Sequence, residues 1–130
     1  MKIGLLTYHH STSYGAIMQT YATCRVLKQL GHEVKIVDIR QSEKQRKGIL
    51  KILIDLFYIK RNKQIDDFKK KFYAPLTRRY MTMEELRSNP PSVDCLVVGS
   101  DQTWRCRYNR GRIQDMFLSF TKGWKVKRIA

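Results

Sequence analysis

The segment Asp94-Cys95-Leu96-Val97-Val98-Gly99-Ser100-Asp101-Gln102-Thr103-Trp104 constrains the fold more than any other part of the chain. An uninterrupted apolar run marks a strand buried on both faces, and such strands belong to parallel sheets covered by helices. In open α/β sheets the residues just past the carboxyl ends of the strands line the ligand crevice. The run therefore predicts a strand over 95–98 and places Ser100, Asp101, Gln102 and Trp104 where recognition or chemistry occurs.

The amino terminus repeats the design. Residues 2–8, apolar at Ile3, Leu5 and Leu6, read as a first strand. The polar loop His9-His10-Ser11-Thr12-Ser13-Tyr14-Gly15 follows, and then a helix over 16–30. A further strand is expected over 35–38. Right-handed crossovers would return these strands in the same direction and bring the Tyr14-Gly15 and Ser100-Asp101 loops to one edge of the sheet. Gly15 at the helix entrance lets backbone approach a ligand, and the unpaired N–H groups of the first turn favour an anion or sugar hydroxyls. With a single glycine between Leu5 and Leu30, neither a dinucleotide fingerprint nor a P-loop is present.

Taken together, Lys2-Ile3-Gly4-Leu5-Leu6-Thr7-Tyr8-His9, Tyr14-Gly15-Ala16, Gln19, Tyr21-Ala22, Gly31-His32-Glu33-Val34, Val37-Asp38 and Val98-Gly99-Ser100-Asp101-Gln102-Thr103-Trp104 resemble the polysaccharide pyruvyl transferase family. The resemblance spans most of the chain and is weakest over 41–92, where only a basic helical region corresponds. The chain departs from the usual family pattern at Ser13, where Asn is common, and at Arg105-Cys106, where Asn-Pro commonly follows the Trp.

The resemblance implies a Rossmann-like parallel sheet forming the amino-terminal half of a GT-B-like two-domain enzyme. The ending Lys125-Val126-Lys127-Arg128-Ile129-Ala130 looks like the start of a strand, so the expectation is a truncated amino-terminal domain over 1–130, with a basic helical region at about 44–88 and the second domain absent. A complete small domain with a frayed tail is the alternative. By the same resemblance, the reaction transfers the enolpyruvyl unit of phosphoenolpyruvate, a donor substrate rather than a cofactor, to a sugar of a cell-surface polysaccharide or its precursor. His9, Ser13, Tyr14, Gly15, Gln19, Ser100, Gln102 and Trp104 would bind substrate and Asp101 would be catalytic. Donor-binding Arg and His groups are expected mainly in the second half, and the fragment is expected to be inactive alone.

The residues themselves leave alternatives open. Asp101 is a general base toward an acceptor hydroxyl, or it binds sugar hydroxyls or caps a helix. Trp104 stacks on a sugar or plugs the core. His9 and His10 would face a phosphate or carboxylate, and no carboxylate ligands accompany them in sequence to indicate a metal. Cys106 lies between Arg105 and Arg107, which would favour its thiolate, yet no partner base is evident.

The net charge of +15 is concentrated: 12 basic against 3 acidic residues over 44–79, and 8 against 1 over 105–130. In the first stretch Ile49, Ile52, Leu53, Leu56 and Phe57 recur at helical spacing, flanked by Lys and Arg. A second helix is expected over 64–72, ended by Pro75. The basic amphipathic stretch reads as a core-packing helix with a solvated face, as a surface for anionic lipid near a lipid-linked acceptor, or as a nucleic-acid surface without a sequence-specific motif. Three cysteines without C-x-x-C spacing indicate neither a disulfide framework nor zinc. No apolar run approaches the roughly 18–20 residues that span a bilayer. A cytoplasmic location is expected, with peripheral contact at the inner membrane face. Two other functions compete with pyruvyl transfer: a GT-B-like glycosyltransferase using a nucleotide sugar, and a non-catalytic basic module binding nucleic acid or membrane.

Overall fold

Adjacent residues in a strand point to opposite faces, so the near-complete burial of both Leu5 and Leu6 in β1 (Lys2–Leu6) requires cover on both sides of the sheet. The computed structural model, which describes residues 1–40, 49–99 and 113–130 and the side chains among them other than 49–56 and 113, provides it. β2 (Glu33–Ile39), β3 (Leu76–Tyr80), β4 (Cys95–Val98) and β5 (Lys127–Ile129) join β1 in a five-stranded sheet of order β3-β2-β1-β4-β5. Every pairing is parallel, with Leu5 opposite Ile36 on one side and Val97 on the other.

Helices α1 (Tyr14–Gln29) and α2 (Ile49–Phe72) carry the chain outward from β1 to β3, and α3 (Met83–Ser88) returns it to β4. Right-handed crossovers put the first two on one face and the third on the other. Side-chain packing agrees. Leu5, Cys24, Val34, Ile36 and Ala74 form the core beneath α1. Leu6, Val37, Tyr80, Met83, Leu86 and Leu96 meet on the α3 face, joined by Leu118 and Phe120 from the segment holding the short helix Ile113–Met116 and the 3-10 turn Ser119–Thr121. Tyr21 stands edge-on to Phe68 and Phe72 and locks α1 to α2.

The 95–98 strand is found as expected, and the closing segment does pair as a strand against β4. Elsewhere the bounds shift for local reasons. α1 begins at Tyr14 because Ser13, in extended conformation, is its N-cap. It ends where Gly31, at φ +82°, takes the left-handed conformation that lets Gly31 N–H reach Lys28 O and His32 N–H reach Leu27 O. The two helices expected over 49–72 are one, since Lys60-Arg61-Asn62-Lys63 contains no breaker.

The helical reading of 44–88 needs correction: it contains β3, whose entry is fixed when Ile36 N–H donates to Pro75 O at 2.9 Å. α3 is secured by Thr82 Oγ1, which accepts from Glu85 N–H at 3.0 Å, while Glu85 Oε2 accepts from Met81 N–H at 2.8 Å. The core-helix reading of the amphipathic stripe is also corrected at its end, because Phe57 is 83% and Ile59 56% exposed, whereas Ile65 is buried. Among the described residues no helix is long and apolar enough to cross a membrane.

Leu96, 1% exposed at the middle of β4, fills the α3-side core. Leu96→Ala should cost about 2–5 kcal/mol of stability, read as a lower urea midpoint at an unchanged m value.

Candidate functional site

The connections change direction between β1 and β4, and the loop after β1 and Gly99 at the end of β4 meet at this switch point. Gly99 N–H donates to Leu6 O at 2.8 Å, so the two strand ends leave the sheet side by side on its carboxyl edge, as the parallel reading required. A Cβ on Gly99 would lie 2.8 Å from Gln19 Nε2 and 3.0 Å from Thr7 Oγ1, which explains the glycine. Thr7 Oγ1 donates to Gln19 Oε1 at 3.2 Å, and Gln19 Nε2 donates to Thr23 Oγ1 at 3.3 Å. Gln19 is thus held at the switch point by β1 and by its own helix. Ser100, Asp101, Gln102, Trp104 and Cys106 lie outside the described residues.

Ser13, Tyr14 and Gly15 are exposed at the same edge. The Ser13 hydroxyl makes no capping hydrogen bond, and a Cβ on Gly15 would meet only Ser13 Oγ at 3.9 Å, so the helix entrance is uncrowded. No acidic residue occupies the first turn of α1, which leaves the positive end of its dipole uncompensated by its own side chains.

His9 sits apart from these three, 3% exposed, with Nε2–H donating to Asp38 Oδ1 at 3.0 Å and Nδ1 at a longer 3.4 Å from Thr7 O. Asp38, at the end of β2 and equally buried, also accepts from Arg40 Nε at 3.0 Å and from Arg79 Nε at 3.3 Å. Burial would push the Asp38 carboxyl up. Hydrogen bonds from Arg40 and His9 and the charges of His9 and Arg40 outweigh it and hold the carboxyl below the usual carboxylate range. Burial, together with His10, pushes His9 down against the pull of Asp38. The imidazole and two guanidinium groups thus converge on one carboxylate, and Arg40 and Arg79 keep permanent positive charge beside it.

Beside this network opens a cleft of about 450 Å³ between the β1–α1 loop, the end of α2 and the start of β3. His9, His10, Arg40, Lys69, Lys70 and Tyr73 contribute to its lining. Lys69 Nζ donates to Ser11 O at 2.8 Å and pins the loop from above. Burial pushes the Tyr73 hydroxyl up to about 12, so it stays a neutral donor, 3.4 Å from Ile17 O. Of the two histidines read as facing an anion, His10 lines this cleft more openly and His9 forms its floor.

Asp38 entered the sequence reading only within Val37-Asp38 and without a role, and Arg40, Arg79 and Lys69 were not singled out. A signal existed for Asp38: Val34-Lys35-Ile36-Val37-Asp38 ends a strand on an acid, the same pattern that directs attention to Asp101. Cys24 and Cys95 are buried free thiols whose pKa burial raises, so both are poor nucleophiles. Among the described residues no group of three or more His, Cys, Asp or Glu side chains could hold a metal ion.

A parallel sheet wrapped by helices, with glycine-edged polar loops at its switch point, defines a Rossmann-like α/β domain. The chain belongs to the polysaccharide pyruvyl transferase family, whose model matches residues 14–129. The matched span takes in Tyr14, Gly15, Gln19 and the Gly99–Trp104 segment, while His9 and Ser13 precede it. No curated protein matches the chain. Among solved structures, a protein from the universal stress protein family of Burkholderia pseudomallei aligns with a TM-score of 0.42 and 12% identity, covering 98% of this chain and 92% of that one.

The buried pair predicts the acid response. A His9 pKa held below its ordinary 6.5 means that the unfolded chain binds the proton more readily, so stability is full above that pH and falls as pH drops below it. Asp38 adds a second loss below its ordinary 3.8, where the unfolded carboxylate protonates first. His9→Gln should lower stability at pH 7.5 yet flatten its decline between pH 7 and 5, measured by urea unfolding at each pH. A decline as steep as that of the parent chain would assign the effect elsewhere.

Proposed function

We propose that the chain forms the acceptor-side wall of an enzyme transferring the pyruvyl group of phosphoenolpyruvate to a sugar of a cell-surface polysaccharide or its precursor. The observation that carries this reading is the family match across 14–129. The position of the α1 entrance and of Gly99 at the switch point supports it, since ligands in open α/β sheets settle there. Family membership also favours it over a nucleotide-sugar transferase or a non-catalytic basic module.

The chemistry proceeds by protonation of C3 of the donor, which makes C2 an oxocarbenium-like electrophile. One sugar hydroxyl adds to C2, phosphate leaves, and a second hydroxyl closes the cyclic ketal. Asp101 would take the proton from an attacking hydroxyl. Ser13, Tyr14 and the Gly15 backbone would meet the sugar at the helix entrance, and Ser100, Gln102 and Trp104 would add further sugar contacts. Gln19, already bonded to Thr7 and Thr23, would act chiefly by holding the β4 turn in place. Cations around phosphate and carboxylate come mainly from a second, donor-binding domain in this reading, so the 130-residue chain alone should release no phosphate from phosphoenolpyruvate.

Within a two-domain enzyme, Asp101→Asn should lower kcat by about 10²–10⁴-fold if Asp101 is the base, while Trp104→Ala should chiefly raise the acceptor KM. Sugar-dependent phosphate release from phosphoenolpyruvate is the assay, and Asp101→Asn with unaltered kcat would remove Asp101 from the chemistry.

A lipid-linked acceptor would bring the chain to the inner membrane face. Exposed Phe57 and Ile59 on α2, beside Lys60 and Lys63, supply an apolar and cationic surface for that contact. Vesicles containing anionic lipid should sediment the chain at low salt and release it at high salt, with Phe57→Ser weakening the association; equal sedimentation with neutral vesicles would argue against it.

A further inference from the structure

We propose that the cleft between the β1–α1 loop and the end of α2 is an anion site that takes a phosphate-bearing group, held by Arg40, Lys69 and Lys70. The anion site itself stands on the geometry of the cleft, while the source of the phosphate rests on the reaction proposed above.

Two separate elements supply the cations, since Arg40 follows β2 and Lys69 and Lys70 lie near the end of α2, while the loop after β1 adds the imidazoles of His9 and His10. A volume of about 450 Å³ lies within the roughly 300–1,000 Å³ common for small-molecule sites. A second concavity of about 430 Å³ at the opposite strand ends also holds lysines, Lys2 and Lys125, but it carries an acid, Asp94, and no arginine or histidine.

Donor capacity remains. An ammonium carries three N–H donors and a guanidinium five. Lys69 gives one to Ser11 O, and Arg40 gives Nε to Asp38 Oδ1. Among the described residues, the Arg40 Nη groups and the Lys70 ammonium have no recorded acceptor. The carboxylates nearby do not cancel the field. Asp38 is shared by Arg40 and Arg79 and closed off behind His9, and Asp66 on the rim faces two lysines.

Gathering these cations has a cost that an anion would relieve. Burial pushes Lys69 below the usual lysine range, Asp66 opposes that, and Arg40 adds to it by repulsion. A phosphate oxygen between Lys69 and Arg40 would replace repulsion by two charge-assisted hydrogen bonds. The phosphate has two sources in a transferase of this family: the small phosphoester donor, or a diphosphate linking an acceptor sugar to its carrier. The same cations serve either.

Isothermal titration of the chain at low salt, using inorganic phosphate, pyrophosphate and phosphoenolpyruvate as probes, tests the site without any turnover. Saturable one-to-one binding of at least one probe is expected. Lys69→Gln with Lys70→Gln should weaken it tenfold or more, whereas Lys122→Gln with Lys125→Gln, which removes equal charge far from the cleft, should leave it unaltered. Lys70→Gln alone, at an exposed helical position where folding is not at stake, should weaken it severalfold. Phosphoenolpyruvate as the tightest probe would identify the donor as the source, and pyrophosphate would identify the diphosphate-linked acceptor. Binding of none of the three, or equal weakening by the two double variants, would overturn the proposal.

Discussion

A single buried carboxylate organises the carboxyl edge of this sheet. Asp38 collects His9 from the loop after β1, Arg40 from the end of its own strand and Arg79 from β3, and so ties together the ends of three neighbouring strands. Desolvating a carboxylate costs several kcal/mol, and only close, well-directed partners recover it. The cluster therefore specifies position more than it adds stability. With His9 fixed in this way, the polypeptide from His10 to Ser13 must turn over the sheet toward the start of α1, and Lys69 completes the arrangement by gripping Ser11 O.

That arrangement separates two functions that the sequence merges into one loop. The Ser13–Gly15 end faces outward beside the β4 turn, whereas the His9–His10 end faces the cationic cleft under α2. The close approach of Gly99 to Thr7 and Gln19 marks the seam between β1 and β4, where even a methyl group would not fit. A glycan presented to one end and an anion held at the other would then lie on opposite sides of the same short loop.

Much of the sheet was legible because buried parallel strands advertise themselves as apolar runs. Cys95–Val98 needed nothing more, and Ile3, Leu5 and Leu6 placed β1 within two residues. β3 was not legible: Leu76-Thr77-Arg78-Arg79-Tyr80 is an edge strand with only Tyr80 buried, so its polar sequence resembles the basic region around it. α3 was readable but unread, since Thr82-Met83-Glu84-Glu85 is a capping-box pattern. Of the cleft only the His9-His10 pair had a linear signature. Arg40 and Lys69 lie far apart in sequence, and only the crossover geometry of α2 brings them to one rim.

The length of α2 has a mechanical consequence. Gln64, Ile65 and Phe68 lie alongside Tyr14, Ile17 and Met18, so the start of α1 is level with the middle of α2. The residues of α2 ahead of Gln64 extend about 20 Å beyond that level at 1.5 Å per residue. Ile65 is buried against α1, whereas Phe57, Tyr58 and Ile59 ahead of it are exposed. Such an arm is a lever with its fulcrum at Ile65: a tilt of about 10° there would sweep the far tip through about 3–4 Å over that length, while the short side carrying Lys69 and Lys70 would move far less. The geometry thus gears large displacement at Phe57 and beyond to fine adjustment at the cleft.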